Sequence, residues 1–404
     1  MTTVTPLGDA ETRRGFLITA GLALGIAVSN GFGRFAYALI LPAMRADLNW
    51  TYTQAGALST ANAVGYFIGS FIVMTSVRRL GAANMYVAGI WITCVAIFLV
   101  GLLSDFTTMI VVRTIAGISG ACVLISGSVL AASVFPRHPK LAATAISLYF
   151  AGGGIGLLLP GLALPWLFAL GGDSIWPWAW IGMGGFGALV GVYNVMAARS
   201  VVAPPAQRAP YPWPKRPLLP IFASYGFYAV GYFVYMTFII AWMRENGSSA
   251  SEIAGMWIIL GVATVAGSVV WSRPISSWSG GRAVAGTILA TGIGAVLPLF
   301  GTSFWLMAIS AALFGSFFMV PAAITAYVKK ALPPVVWGEA VAAITLLFAA
   351  LQLTGPVVTG VIADRTGSLA WGLGFAATFL LIGSLIALLQ REPQYRQPAD
   401  AGSQ

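Results

Sequence analysis

From Phe16 to Leu389 the sequence runs through one apolar stretch after another, each near the 20 residues that a helix needs to cross a hydrocarbon core of about 30 Å. Short polar breaks separate the stretches. No other pattern constrains the fold so strongly, because a backbone surrounded by lipid must satisfy its own hydrogen bonds, and a run of this length does so as a helix. Expected helices lie near 15–44, 54–77, 81–103, 107–134, 141–169 and 176–199, and a second set near 217–243, 252–271, 283–300, 304–328, 340–363 and 369–390. With 58% hydrophobic and 8% charged residues, the 404-residue chain has too little polar surface to cover a water-soluble globule. The polar stretch Met1 to Arg14 precedes a first span without an A-x-A cleavage site, so it reads as the lead into a helix and not as a secretory signal.

The basic residues test the helix count. With the N-terminus inside, sixteen of the 21 Lys and Arg fall in loops or tails on the N-terminal side, and only Arg45, Arg244 and Arg365 fall opposite. Cytoplasmic loops collect Lys and Arg, so an even number of spans with both termini cytoplasmic explains the pattern. The net charge of +10 then reports topology and gives no reason to expect a nucleic-acid partner. Cys94 and Cys122 both sit inside apolar runs, and the single histidine, His138, lies in the basic loop Arg137-His138-Pro139-Lys140. Those positions suit neither a disulfide framework nor a metal cluster, and they leave no nucleophile and base for an enzyme. No cofactor is expected.

The longest loop, Arg199 to Lys215, holds Pro204, Pro205, Pro210, Pro212 and Pro214 and reads as a stiff linker. It implies an N-terminal six-helix domain over 1–200, a cytoplasmic linker over 201–216, a C-terminal six-helix domain over 217–392 and a cytoplasmic tail over 393–404. The halves also echo each other. Gly33-Arg34-Phe35-Ala36-Tyr37 in the first helix has a counterpart in Gly231-Tyr232-Phe233-Val234-Tyr235 in the seventh, and Met44-Arg45 a counterpart in Met243-Arg244. Repeated halves with a site at their interface are a common plan for secondary transporters.

Several motifs carry a family resemblance. Arg113-Thr-Ile-Ala-Gly117 in the fourth helix and the Gly152, Gly153, Gly154, Gly156, Pro160, Gly161 cluster in the fifth resemble motifs of the major facilitator superfamily. Gly31-Phe-Gly33-Arg34-Phe-Ala-Tyr37 with Leu41-Pro42, the segment Tyr232 to Thr237, and Gln352-Leu-Thr-Gly355-Pro356 resemble its YbfB/YjiJ-like branch. The resemblance implies an all-α membrane protein of twelve transmembrane helices in two six-helix bundles. It also implies alternating access and a central cavity lined by helices 1, 4, 7 and 10. One departure stands out: where the family carries an acid in the loop after helix 2, this chain reads Ser76-Val77-Arg78-Arg79-Leu80-Gly81. Asp364-Arg365 after helix 11 resembles that acidic pattern but falls on the opposite side.

Only Arg34 and Arg113 place charge deep in the membrane, and no carboxylate lies well inside any span. At about 1.5 Å of rise per residue, each arginine lies about 7 Å from its helix midpoint, at one shared level. A buried cation needs a partner, and guanidinium binds carboxylate or phosphate through a planar fork. The expected substrate is therefore a small organic anion, a monocarboxylate or aromatic acid, that supplies the counter-charge. The structural alternative is that both arginines brace backbone carbonyls freed by nearby Gly and Pro. Further candidate substrate contacts are Asn30 and Tyr37 on helix 1, Asn62 and Tyr66 on helix 2, Tyr228, Tyr232 and Tyr235 on helix 7, and Gln352 on helix 11. The remaining expectations are coupling to protons or anion exchange, with Asp47 or Glu339 as edge groups, contact with membrane lipids, and a monomer. Efflux of hydrophobic or cationic drugs is the alternative function.

Overall fold

The computed structural model describes residues 8–202, 216–332 and 337–391. It contains twelve helices long and apolar enough to span a membrane: α1 Asp9–Asp47, α2 Tyr52–Val77, α3 Ala82–Val100, α4 Phe106–Ser133, α5 Thr144–Gly171 and α6 Asp173–Arg199, then α7 Arg216–Glu245, α8 Ala250–Ser277, α9 Arg282–Phe300, α10 Phe304–Ala331, α11 Ala340–Thr366 and α12 Leu369–Leu388. These are the twelve spans expected, with ends shifted by a few residues. The first begins earlier, because Asp9 and Glu11 suit the positive end of a helix and let it start before the apolar run does. The interior of the proline-rich linker (203–215), the C-terminal tail and the Glu339 side chain lie outside the described residues.

Local chemistry sets the helix starts. Thr51 and Gln54 form a capping box at the head of α2, and Ser249 and Glu252 form the equivalent box at the head of α8. The second helix of each half therefore begins the same way, a repeat that extends the Gly33/Gly231 match. Within the halves, α2 packs along α4 and α7 along α12. Gly65 and Gly69 bring α2 onto the α4 backbone: a Cβ at either would meet the Thr114 or Ile118 carbonyl. Gly152 and Gly156 do the same for α5 against Ala23 and Ala27 of α1. Small residues four apart allow such contact in lipid, where close van der Waals packing replaces the hydrophobic effect as the force between helices.

The halves meet along α5 and α8, α2 and α11, and α1 and α7. Large apolar side chains such as Leu170 and Trp305 point outward, 90% and 76% exposed, as a lipid-facing surface requires. Three helices are irregular near mid-depth. In α1, Ala27–Phe35 is a π-helical stretch; in α10, Gly315–Met319 tightens to a 3₁₀ turn; and α11 breaks between Leu351 and Thr354. Pro356 contributes to that break, since it has no N–H to offer the Gln352 carbonyl four residues back.

Candidate functional site

Arg34 lies in the last turn of the π-helical stretch of α1 and is 7% exposed. Its side chain crosses to the other half. Nη2 donates to the Tyr232 hydroxyl at 3.0 Å and to Oε1 of Gln352, and the Tyr232 hydroxyl donates to the same Gln352 oxygen at 3.1 Å. Two rings flank the guanidinium, Phe233 from α7 at 4.4 Å and Tyr66 from α2 at 5.0 Å. The two residues that match in the internal repeat, Arg34 and Tyr232, thus bond to each other where the halves meet.

The network leaves donors in excess. Arg34 Nε and Gln352 Nε2 are buried without an acceptor, and the hydroxyls of Tyr66 and Tyr225 make no hydrogen bond within the described chain. No described carboxylate lies within ion-pair distance of Arg34 or Arg113. Unspent N–H groups beside an uncompensated cation in a buried site favour negative charge and oppose a second cation.

Arg113 is used differently. It is 1% exposed and donates from Nη1 to the Gly33 carbonyl at 2.6 Å, between the rings of Tyr37 at 4.9 Å and Trp180 at 5.3 Å. That carbonyl belongs to the π-helical stretch, where the regular α-helical bonding pattern is broken. Arg113 therefore holds α1 in the irregular shape that aims Arg34 across the interface. Asn62 supports it by donating to the Arg113 carbonyl at 3.3 Å.

The other candidates divide by location. Tyr66, Tyr232 and Gln352 surround Arg34. Tyr228 lies one turn from Tyr232, with ring centroids 4.9 Å apart, and its hydroxyl donates to the Phe317 carbonyl at 2.7 Å. Asn30 makes one long bond, 3.4 Å, to Ser29 Oγ. Tyr37 donates to the Ala55 carbonyl at 2.8 Å within the N-terminal half. Tyr235 shares a 2.7 Å hydrogen bond with Ser310 and stacks on Phe314 within the C-terminal half. Asp47 accepts from Trp176 Nε1 at 2.9 Å and so ties α1 to α6.

Phe348 and Phe317 join the site without a signal in the sequence. Phe348 stacks on Tyr225 at 4.8 Å and on Tyr232 at 5.5 Å, and Phe317 stacks on Tyr232 at 5.9 Å. With Tyr228 they make a slab of near-parallel rings leading from Tyr225 to Arg34. Nothing in the sequence separates Phe348 from the other phenylalanines of the spans; its role depends on the break in α11 next to it. Thr237, which donates to Ser59 Oγ across the halves at 3.2 Å, does fall in the Tyr232–Thr237 segment noted above. Among the described residues, no group of three or more His, Cys, Asp or Glu is placed to hold a metal.

Two six-helix halves closing on a buried polar node define a polytopic membrane carrier. A family model described as "Uncharacterised MFS-type transporter YbfB" matches residues 26–388. The chain therefore belongs to the major facilitator superfamily, in the branch represented by that family. Solved structures agree on the fold. The nucleoside transporter NupG (D323A mutant) superimposes with a TM-score of 0.69 at 13% identity, covering 92% of this chain and 99% of that one. A bacterial homologue of the human lysosomal transporter Spinster, inward-facing and occupied, gives 0.68 at 17% identity, covering 95% and 97%. A Haemophilus influenzae protein, provisionally named for metabolite transport, is 29% identical over 164 residues, which span 39% of this chain and 40% of that relative.

Proposed function

We propose that this transporter carries a small organic anion, a monocarboxylate or an aromatic acid, by alternating access of its two halves. One observation carries the reading: Arg34 is a buried cation at the interface of the halves, with unspent donors around it and no carboxylate partner among the described residues. A substrate carboxylate would supply the missing charge, taking over part of the position that Gln352 Oε1 and the Tyr232 hydroxyl hold beside the guanidinium. The slab of Tyr225, Tyr228, Tyr232 and Phe348 favours a substrate whose body is planar or apolar.

On this reading, Arg34, Tyr66, Tyr232 and Gln352 touch the substrate, Tyr228 and Asn30 flank them, and Arg113, Asn62, Tyr37 and Tyr235 hold the wall. The domains are 1–200 and 217–392. The basic-residue pattern supports both termini on the cytoplasmic side of a bacterial inner membrane. The carrier acts as a monomer, and its chemistry is transport without catalysis. With no carboxylate well inside any span to carry a proton, coupling comes from anion exchange or from a proton that travels with the substrate.

The test is the unfolding temperature of purified wild type and Arg34→Ala against benzoate, short aliphatic carboxylates, their amides and lipophilic cations, since ligands of the native state raise apparent stability. Stabilisation of the wild type alone by a carboxylate, with its amide inert, is the expected result. Equal stabilisation of both proteins by lipophilic cations, with anions inert, would replace this reading with drug efflux, for which the aromatic slab is the supporting observation.

A further inference from the structure

We infer that Asp364 is a cross-half latch that keeps the face opposite the termini closed, on the other side of the membrane from the loop after α2 that lacks its acid. Asp364 sits in the last turn of α11, in the C-terminal half. Its Oδ1 accepts from the Tyr52 backbone N–H at 2.8 Å, and its Oδ2 accepts from the Thr53 N–H at 2.8 Å and the Thr53 hydroxyl at 2.5 Å. Those donors belong to the head of α2, in the N-terminal half.

The contact is well matched chemically. The first backbone N–H groups of a helix have no acceptor within it and form its positive end. Thr51 takes the N–H of Gln54, and Asp364 takes those of Tyr52 and Thr53, so the cap of α2 is completed from the other half of the molecule. One turn back from Asp364, Gly360 lets the two backbones meet: a Cβ there would collide with the Tyr52 carbonyl and the Thr53 Cα. The surroundings repeat the theme. Arg45 lies 3.7 Å from the Tyr52 ring centroid and 3.7 Å from Glu245, and Arg244 pairs with Asp173 at 2.8 Å. Both pairs join the halves on the same face. Asp364 differs from them because two of its three donors are fixed backbone N–H groups, which cannot follow it by turning a side chain.

Opening this face separates Asp364 from α2 and leaves the donors and the carboxylate to water. At the other face, Ser76-Val77-Arg78-Arg79-Leu80-Gly81 supplies no acid for a matching contact. The latch therefore biases the carrier towards closure on one side only.

The experiment is distance measurement by paired spin labels in the full-length protein, with Cys94 and Cys122 replaced by Ser. One pair, at Leu102 and Ser303, spans the face opposite the termini; the other, at Ser200 and Ser277, spans the terminus-bearing face. Asp364→Asn and Asp364→Ala should raise the population of the longer distance in the first pair about tenfold for each charge-assisted hydrogen bond lost, while the second pair shortens. Thr53→Val removes one of those bonds without touching the acid and should shift both pairs in the same direction. Asp105→Asn is the control, because Asp105 caps Thr108 within its own half and bridges nothing. Unchanged distances in the Asp364 or Thr53 variants would overturn the inference. So would lengthening of the first pair without shortening of the second, which would mark a local shift at that face and not a change of the carrier from one state to the other.

Discussion

Replacing Gln352 by Glu puts a carboxylate where the neutral Oε1 now contacts Arg34, and so builds a substitute for the substrate's charge into the wall. An anion held by the remaining donors of the same guanidinium would lie about 5 Å from that carboxylate. At an effective dielectric of about 20, two like charges at that spacing repel by about 3.3 kcal/mol, which weakens anion binding about 250-fold. The assay is a titration of unfolding temperature with the carboxylate that stabilises the wild type, comparing the concentrations at which the shift develops. Gln352→Leu separates charge from shape: it removes the acceptor without adding charge, and anion binding should persist. Equal binding by wild type and Gln352→Glu would refute the placement of the anion beside Arg34, since no anion bound there could ignore a second carboxylate.

Arg113→Lys should lower the unfolding temperature while leaving the anion-dependent shift in place, because the Lys ammonium cannot reproduce the planar group that spans the Gly33 carbonyl and the Tyr37 and Trp180 rings. The loss of one charged hydrogen bond, about 1.5–3 kcal/mol, corresponds to about 2–4 °C for a chain of this size. Gly65→Val forces a side chain into the Thr114 carbonyl and should cost about 3 kcal/mol or more, seen as poor yield of folded protein or early thermal unfolding. Hydrogen bonds from the Thr108 hydroxyl and backbone N–H hold the Asp105 carboxyl below the usual carboxylate range. Because the folded value is depressed, its contribution is complete above the ordinary value near 4 and fades as pH falls through the folded value. Asp105→Asn should therefore flatten the acid limb of a stability-against-pH curve.

The site was partly legible before any fold was known. Arg34 and Arg113 stood out because lipid makes unpaired charge costly, and Tyr232 stood out as the repeat counterpart of Arg34; the two hydrogen-bond in the structure. The different uses of the two arginines were not legible. Both read as cavity cations from depth alone, but depth carries no rotational angle, and the π-helical stretch of α1 changes the angle at which its side chains project. From the sequence Asp364 reads only as a motif on the unexpected side, since its value depends on Tyr52 and Thr53 more than 300 residues away.

By itself the sequence determined the solvent, the number of spans, the division into two similar halves and the want of a buried acid. Each of these follows from hydropathy and charge counted along the chain, where the cost of an unsatisfied backbone or an unpaired ion in lipid leaves one solution. Only the tertiary structure decided which face of each helix turns inward, that Gln352 and Phe348 meet Arg34 and Tyr232, and that Asp364 caps α2. Those contacts depend on the rotation and register of helices from opposite halves, set by small-residue packing and by the breaks in α1 and α11, and residue spacing along a single helix does not encode them.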